Sequence, residues 1–432
     1  MKRLIEKKLI EWSDNLRRKP LLLRGARQVG KTFTIKEFGQ KRFPGKIHTV
    51  DLEKHPEWHS IFEKNLDPFR IISDLEIALN KKINVQSDLL FFDEIQVSPR
   101  ALLSLRYFYE ETPELRVIAA GSLIEFALSE ISFPVGRLQT LTMFPMNFIE
   151  FLFATGKDLL AEKLLSTERD FSDLVHKTLL AELKKYFFIG GMPEAVKYFA
   201  ETGKMSAAFE VHRDLIFTFR NDFPKYGKMT DTGCLDSVLL SISKNAGRQI
   251  KYTKLAEGYS SHTIKKAFNL LCMANIAYKI PSVSQAGVPL GAFDSRKKFK
   301  ALFLDIGLMQ NLSGLPVDFE YRKEKLLSIY NGALAEQFVG QELLSRGDLE
   351  IFYWSRNSKS SSAEIDYLIN IKGKLLPIEV KSGPAGKLKS LHIFLKTFED
   401  IEAGYVFQES KFSKLTEQKL VFLPLYQAYN LV

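Results

Sequence analysis

Residues 20–32, PLLLRGARQVGKT, restrict this chain more than any other stretch. Pro20 to Arg24 reads as a short apolar strand. It runs into Gly25-Ala26-Arg27-Gln28-Val29-Gly30-Lys31-Thr32, which fits G-x-x-x-x-G-K-[ST] at every fixed position. Gly25 and Gly30 let the backbone turn so that its N–H groups face phosphate oxygens. Lys31 brings a mobile positive charge to the β- and γ-phosphates. Thr32 offers a hydroxyl to Mg2+, and a helix from Phe33 to Phe38 adds its N-terminal dipole. The plainer alternative is a glycine turn between a strand and a helix.

Leu89-Leu90-Phe91-Phe92-Asp93-Glu94 is an apolar run ending in two acids. A parallel sheet buried on both faces needs strands of this kind. Carboxylates at the C-terminal end of such a strand emerge where ligands bind in open α/β sheets. Asp93 is then placed to hold Mg2+ through water, and Glu94 to polarise the attacking water. A strand end with solvated acids is the alternative. Val117-Ile118-Ala119-Ala120 reads as another buried strand, ended by Gly121-Ser122. Ser122 is either a γ-phosphate sensor or a small residue in a tight turn. Arg137, in Pro134-Val135-Gly136-Arg137, is either an arginine finger for this or a neighbouring nucleotide, or a solvated loop charge.

The strings GARQVGKT, LLFFDEIQ and AAGS, then VGRLQTLTMFPMNFIEF and FFIGGMPEAV, resemble a widespread prokaryotic group of AAA-superfamily ATPases with a C-terminal domain of unknown function. The resemblance covers nearly the whole chain. It implies ATP binding and hydrolysis by an N-terminal AAA-type core. It also implies a winged helix and a restriction-endonuclease-like domain behind that core. Preference for ATP over GTP rests on this resemblance.

A chain of 432 residues predicts about two to four domains. Cys234 and Cys272 form no metal pattern and no disulfide framework, which suits a reducing cytosol. The N-terminal MKRLIEKKLIEW is charged and periodic, and reads as an amphipathic helix and not a signal peptide. No apolar run approaches the roughly 20 residues of a membrane span. The net charge of +10 suits a polyanionic partner such as DNA.

Alternating strands and helices over 1–150 predict a doubly wound parallel α/β sheet, the AAA-type core, with strands near 20–24, 47–51, 88–93, 117–120 and 139–143. Residues 151–230 read as a helical lid. Residues 231–285 read as a winged helix: helices over 236–245 and 252–257, a third capped by Ser261 and running through Leu271, and a wing strand at 277–280. His262, Thr263, Lys265, Lys266 and Asn269 would face DNA, and Ile264, Ala267, Phe268 and Leu271 the core. The alternative is a winged helix used only for packing. Asp294 to Lys300, DSRKKFK, reads as a basic hairpin or loop with a solvated face. Ser355 to Ser362 reads as a polar loop.

Residues 286–432 hold a second chemical constellation. In Ala363 to Lys381, alternation predicts a strand, and Lys372-Gly373 a two-residue turn. That turn sets Asp366 opposite Glu379 and Glu364 opposite Lys381, all on one face. Opposed carboxylates repel. A Mg2+ between them would remove the cost, and Lys381 could position a water. This is the D…E-x-K arrangement of PD-(D/E)xK nucleases, and Glu336 resembles the helix glutamate of that fold. The usual proline before the first Asp is replaced by Ile365. Ser382-Gly383 follows Lys381. A metal or Lys381 is expected to satisfy Glu336. A structural salt-bridge cluster, or a decayed nuclease, is the alternative.

The leading expectation is Mg2+-dependent ATP binding and hydrolysis coupled to DNA. An ATP-controlled endonuclease and a nucleotide switch acting on a protein partner are the competing ones. A finger supplied by a neighbouring copy would require a homo-oligomer.

Overall fold

The computed structural model describes residues 1–130, 136–226, 230–287, 289–314, 332–357, 362–381 and 388–431. Pro134, Val135, Ser382 and Gly383, and residues 358–361 of the expected loop 355–362, lie outside the described residues. Met1 aside, the chain forms two compact units, Lys2–Phe144 and Pro145–Val432.

The first unit is built on five parallel strands: β1 (Leu21–Arg24), β2 (Ile47–Asp51), β3 (Leu89–Asp93), β4 (Arg116–Ala120) and β5 (Gln139–Thr142). Their order is β2-β3-β4-β1-β5. Every residue of β3 is buried, as its unbroken apolar run requires. Pro68 and Pro99 open two of the crossover helices, behind Asp67 and Ser98, whose side chains accept from Phe69 N and Ala101 N. Phe92 packs edge-on against Phe62 at 5.8 Å between ring centroids, within a core that also holds Phe108 and Ile71. The helix Ile5–Asp14 buries Leu9 and Trp12, and Trp12 Nε1 donates to Lys19 O at 2.8 Å.

The second unit begins with helices Phe148–Ala154, Asp158–Leu165, Asp173–Ile189, Pro193–Thr202 and Met205–Tyr226. Gly190 and Gly191 join the third and fourth of these under tight constraint. A Cβ on Gly191 would lie 1.9 Å from Met146 O, and one on Gly190 would lie 2.1 Å from Asp305 Oδ1. The Asp305 carboxylate accepts from Gly191 N at 2.6 Å and caps the helix Ile306–Ser313 through Leu308 N at 3.0 Å. Gln341 ties in the helix Ala333–Ser345, accepting from Ile306 N and donating to Tyr186 Oη. Within the string FFIGGMPEAV, Gly190 and Gly191 thus sit at a buried polar crossing with no room for a side chain.

Helices Thr232–Lys244 and Ser261–Met273 come next, the latter capped by Ser260, whose side chain accepts from Thr263 N, and not by the expected Ser261, which is its first residue. Ile264, Ala267, Phe268 and Leu271 are buried, as their spacing predicts. Between them, only a three-residue 3-10 turn, Tyr252–Lys254, replaces the expected second helix.

Among the described residues, the second sheet has eight strands: β6 (Ala277–Val283), β7 (Asp294–Phe303), β8 (Ile351–Asn357), β9 (Ser362–Ile371), β10 (Lys374–Val380), β11 (Gly404–Gln408), β12 (Ser413–Leu415) and β13 (Leu420–Pro424). Their order is β12-β13-β11-β10-β9-β8-β6-β7. β6 and β7 pair from Ala277↔Phe303 to Val283↔Asp294, so one antiparallel pair takes a strand from each side of the expected boundary between 285 and 286, and β6 also pairs with β8. Lys372 (φ +51°) and Gly373 (φ +83°) form the two-residue turn of the β9–β10 hairpin. Its ladder runs from Lys374↔Ile371 to Ile378↔Tyr367, the expected register.

Two predictions test these contacts. Gly191→Ala puts a methyl against backbone, so it should cost more than ~2 kcal/mol in urea unfolding; an unchanged midpoint would contradict the packing. The second concerns Glu342, whose Oε1 accepts from Phe148 N at 2.9 Å. Burial pushes its carboxyl from 4.5 up to about 8. The folded state therefore holds this proton more tightly than the unfolded chain does. The stability this gives is complete below pH 4.5 and is lost as pH rises through about 8. Glu342→Gln should flatten that decline in urea melts run across the same range; parallel curves would refute the assignment.

Candidate functional site

Residues Gly25 to Gly30 follow β1 directly and precede the helix Lys31–Arg42. Gly25 (φ +143°), Gln28 (φ +62°) and Gly30 (φ +93°) bend the loop through the left-handed region. A Cβ on Gly25 would lie 2.2 Å from Met143 O, so the loop packs on β5's end with no room for a side chain. Ala26 and Val29 are fully buried beneath it, while Arg27 is half-buried and Gln28 exposed.

Lys31 is buried, and its Nζ donates to Gly25 O at 3.0 Å, Ala26 O at 2.8 Å and Ser122 Oγ at 3.0 Å. Three donors thus meet three acceptors. Burial pushes the ammonium down to about 8 against the pull of Glu94 and Asp93. Thr32 Oγ1 donates to Asp93 Oδ1 at 3.0 Å. Burial lifts Asp93 to about 6, and the Thr32 hydrogen bond opposes that lift. Glu94 sits at φ +49°, a strained position for a non-glycine residue, and its Oε2 accepts from Gln96 Nε2 at 2.6 Å. Ser122 lies just past β4, the strand between β1 and β3.

The structure therefore gathers Lys31, Thr32, Asp93, Glu94 and Ser122 at one end of the sheet. Arg137 is not among them. β5 runs parallel to β1, and Arg137 precedes it, so this exposed side chain lies at the opposite end and pairs with Glu110 at 3.1 Å.

Sequence reading missed two residues of this site. Arg3 is buried and donates to Val29 O at 2.8 Å and Phe144 O at 2.7 Å, bracing the loop from behind. It lies about 25 residues upstream in a charged helix-like stretch, so no local pattern marks it. Gln96 holds Glu94, and Gly121 makes room for it, because a Cβ there would lie 2.0 Å from Gln96 Oε1. The loop glycines, the buried ammonium, and the hydroxyl–carboxylate pair fit a magnesium nucleotide.

The second cluster lies in the second unit. Glu336 (helix Ala333–Ser345), Glu364 and Asp366 (β9) and Glu379 (β10) converge as expected, but Lys300 of β7 enters their midst. Lys300 Nζ lies 2.7 Å from Glu364 Oε1, 3.1 Å from Asp366 Oδ1 and 3.3 Å from Glu336 Oε2. This corrects the solvated reading of DSRKKFK at its last position, where Lys300 is 1% exposed. β7 is covered on both faces here, since Phe299, Ala301 and Leu302 are buried too. It also corrects the partner expected for Glu336, because Lys381 instead bonds Glu379 Oε1 at 2.5 Å. The signal was a lone lysine inside an apolar run, Phe299 to Leu304. Burial works against the charge of Lys300, but Asp366, Glu336 and Glu364 outweigh it and hold its pKa well above the ordinary lysine value. Burial and Asp366 push Glu336 up to about 8 and Glu379 to about 7. Among the described residues, no group of three or more His, Cys, Asp or Glu is placed to hold a metal ion.

Residues 17–152 match a family model described as an AAA domain. The N-terminal unit carries an AAA-type P-loop domain. Residues 180–318 and 331–428 match two domains of unknown function, DUF8612 and DUF4143. No curated protein matches the chain. The Walker-type ATPase paby2304 of Pyrococcus abyssi is similar at 16% identity and TM-score 0.44, covering 71% of this chain and 94% of that one. A Thermotoga maritima RuvB Holliday junction branch migration motor is similar at 15% identity and TM-score 0.29, covering 64% and 89%. A Drosophila ORC chain from a DNA-bound structure is similar at 12% identity and TM-score 0.28, covering 74% and 95%. No helix of the described residues is long and apolar enough to cross a membrane.

Arg3→Met removes both braces of the loop in this AAA-type domain. ATP affinity measured by calorimetry should fall roughly tenfold, as expected for two hydrogen bonds of about 0.5–1.5 kcal/mol each. An unchanged affinity would show that the loop holds its shape without Arg3.

Proposed function

We propose that this protein is a Mg2+-dependent ATPase whose nucleotide cycle is coupled to DNA. The observation that carries the ATPase reading is the buried Lys31 ammonium, held by two loop carbonyls and Ser122 beside the Thr32–Asp93 pair. In this reading the 25–30 backbone and Lys31 hold phosphate oxygens, and Ser122 reports on the terminal one. Thr32 and Asp93 hold Mg2+, which when bound supplies charge neutralisation at the phosphates. Glu94 takes up the proton of the attacking water, and Gln96 orients that carboxylate. Arg137, at the other end of the sheet, suits a finger role only toward a neighbouring copy.

The DNA reading rests on charge around the expected winged helix. Lys244, Arg248, Lys251, Lys254, Lys265, Lys266 and Lys279 are all exposed, and Glu257 is the only acid between 241 and 280. His262 and Asn269 share the exposed face of the Ser261–Met273 helix. Such a surface suits a phosphate backbone. The PD-(D/E)xK-like reading of the C-terminal sheet supports the same partner.

The test is ATP hydrolysis with Mg2+, with and without duplex DNA. DNA should stimulate turnover, and Lys31→Ala should abolish it. Lys265→Glu with Lys266→Glu should weaken DNA binding and make its log–log salt slope shallower by about 2. Turnover indifferent to DNA, together with no salt-sensitive binding, would replace DNA with a protein partner.

A further inference from the structure

The C-terminal cluster has the residue types of a metal-dependent nuclease, but most of its carboxylate oxygens are already committed. Lys300 Nζ contacts Asp366, Glu336 and Glu364 through one oxygen of each. The second oxygen of Asp366 accepts from Val380 N at 2.8 Å, and that of Glu364 from Gln249 Nε2 at 2.5 Å. Glu379 gives one oxygen to Lys381, and its other is buried with no hydrogen-bond partner among the described residues. The ammonium is also walled by the rings of Tyr353 and Tyr367, at 5.5 and 5.9 Å from their centroids. Aromatic faces favour an ammonium and offer a divalent ion no oxygen ligand.

We propose that Lys300 takes the place of the divalent cation in this cluster, so that the C-terminal sheet acts by binding its target and not by metal-dependent cleavage. A metal on the same Asp366, Glu336 and Glu364 oxygens would compete with the ammonium for them and meet its repulsion at close range in a buried site. Lys300 cannot withdraw cheaply. It sits mid-strand in β7, paired with Ile280 of β6, and leaving would strip three carboxylates of their common partner. Sharing charge with a tethered lysine also removes the dependence on metal supply that a nuclease site carries. The inference stands apart from the ATPase reading, since it concerns the second unit alone.

The test is a Mn2+ titration of the full chain without nucleotide, read by loss of the free-ion EPR signal, with supercoiled plasmid integrity followed in parallel. The wild-type protein should take up no Mn2+ that depends on Asp366 and should leave the plasmid intact. Lys300→Met should gain one Mn2+ per chain, and adding Asp366→Asn should remove it. If Lys300→Met does not fold, Lys300→Met with Glu336→Gln restores the charge balance, and the gain is read there. Wild-type uptake or cleavage that is lost in Asp366→Asn but kept in Asp93→Asn would overturn the proposal. So would a folded Lys300 variant that gains no site. None of these outcomes depends on ATP turnover, so this proposal and the ATPase reading fail separately.

Discussion

An ammonium taken out of water must find acceptors for its three protons, and both units of this chain are organised around that requirement. In the first, Lys31 is closed by Gly25 O, Ala26 O and Ser122 Oγ. That closure fixes the loop conformation, the end of β4 and the start of the following helix together. In the second, Lys300 is closed by carboxylates from β9 and the helix Ala333–Ser345. The two solutions differ in what the acceptors are. Carbonyl and hydroxyl dipoles leave the Lys31 charge largely uncompensated, so it remains available to an anionic ligand. Carboxylates compensate the Lys300 charge, so that ammonium is spent within its own cluster.

The same contrast explains the direction of the pKa shifts. Burial dominates at Lys31 and pulls it down to about 8. At Lys300, Asp366, Glu336 and Glu364 outweigh burial and push it up. The Thr32–Asp93 contact belongs with the first case. A hydroxyl lowers the cost of burying Asp93 without cancelling its charge. A site that keeps its charges only partly compensated is prepared for a charged ligand, and this is the physical content of the AAA-type match over residues 17–152.

Much of this was legible in the sequence because it is local. Gly25, Gly30, Lys31 and Thr32 lie within eight residues, and β3 ends directly in Asp93-Glu94. Lys372-Gly373 set the hairpin register, since a two-residue turn leaves no freedom in the pairing. The apolar stripe of Ser261–Met273 followed from its period. What stayed hidden is non-local. Arg3 reaches Val29 and Phe144 across 26 and 141 positions, and Lys300 reaches Asp366 across 66. Composition made DSRKKFK look solvated. Only the sheet order, with β7 covered on both faces at Lys300, reveals a buried charge there. Gly190-Gly191 stands in the sequence only as part of the string FFIGGMPEAV, and the reason for it, the Met146 carbonyl against one and Asp305 against the other, needed the fold.

The account turns on Lys31 being a buried ammonium whose pKa burial holds down to about 8 and which phosphate would raise again. Calorimetric titration of Mg2+–ATP at pH 8, repeated in two buffers of different ionisation enthalpy, measures this directly. With its pKa near 8 in the free protein, Lys31 should take up roughly half a proton on binding. Lys31→Met should lose both the proton uptake and most of the affinity. Absence of ATP binding, or binding with no proton uptake that survives in Lys31→Met, would contradict the account at its centre.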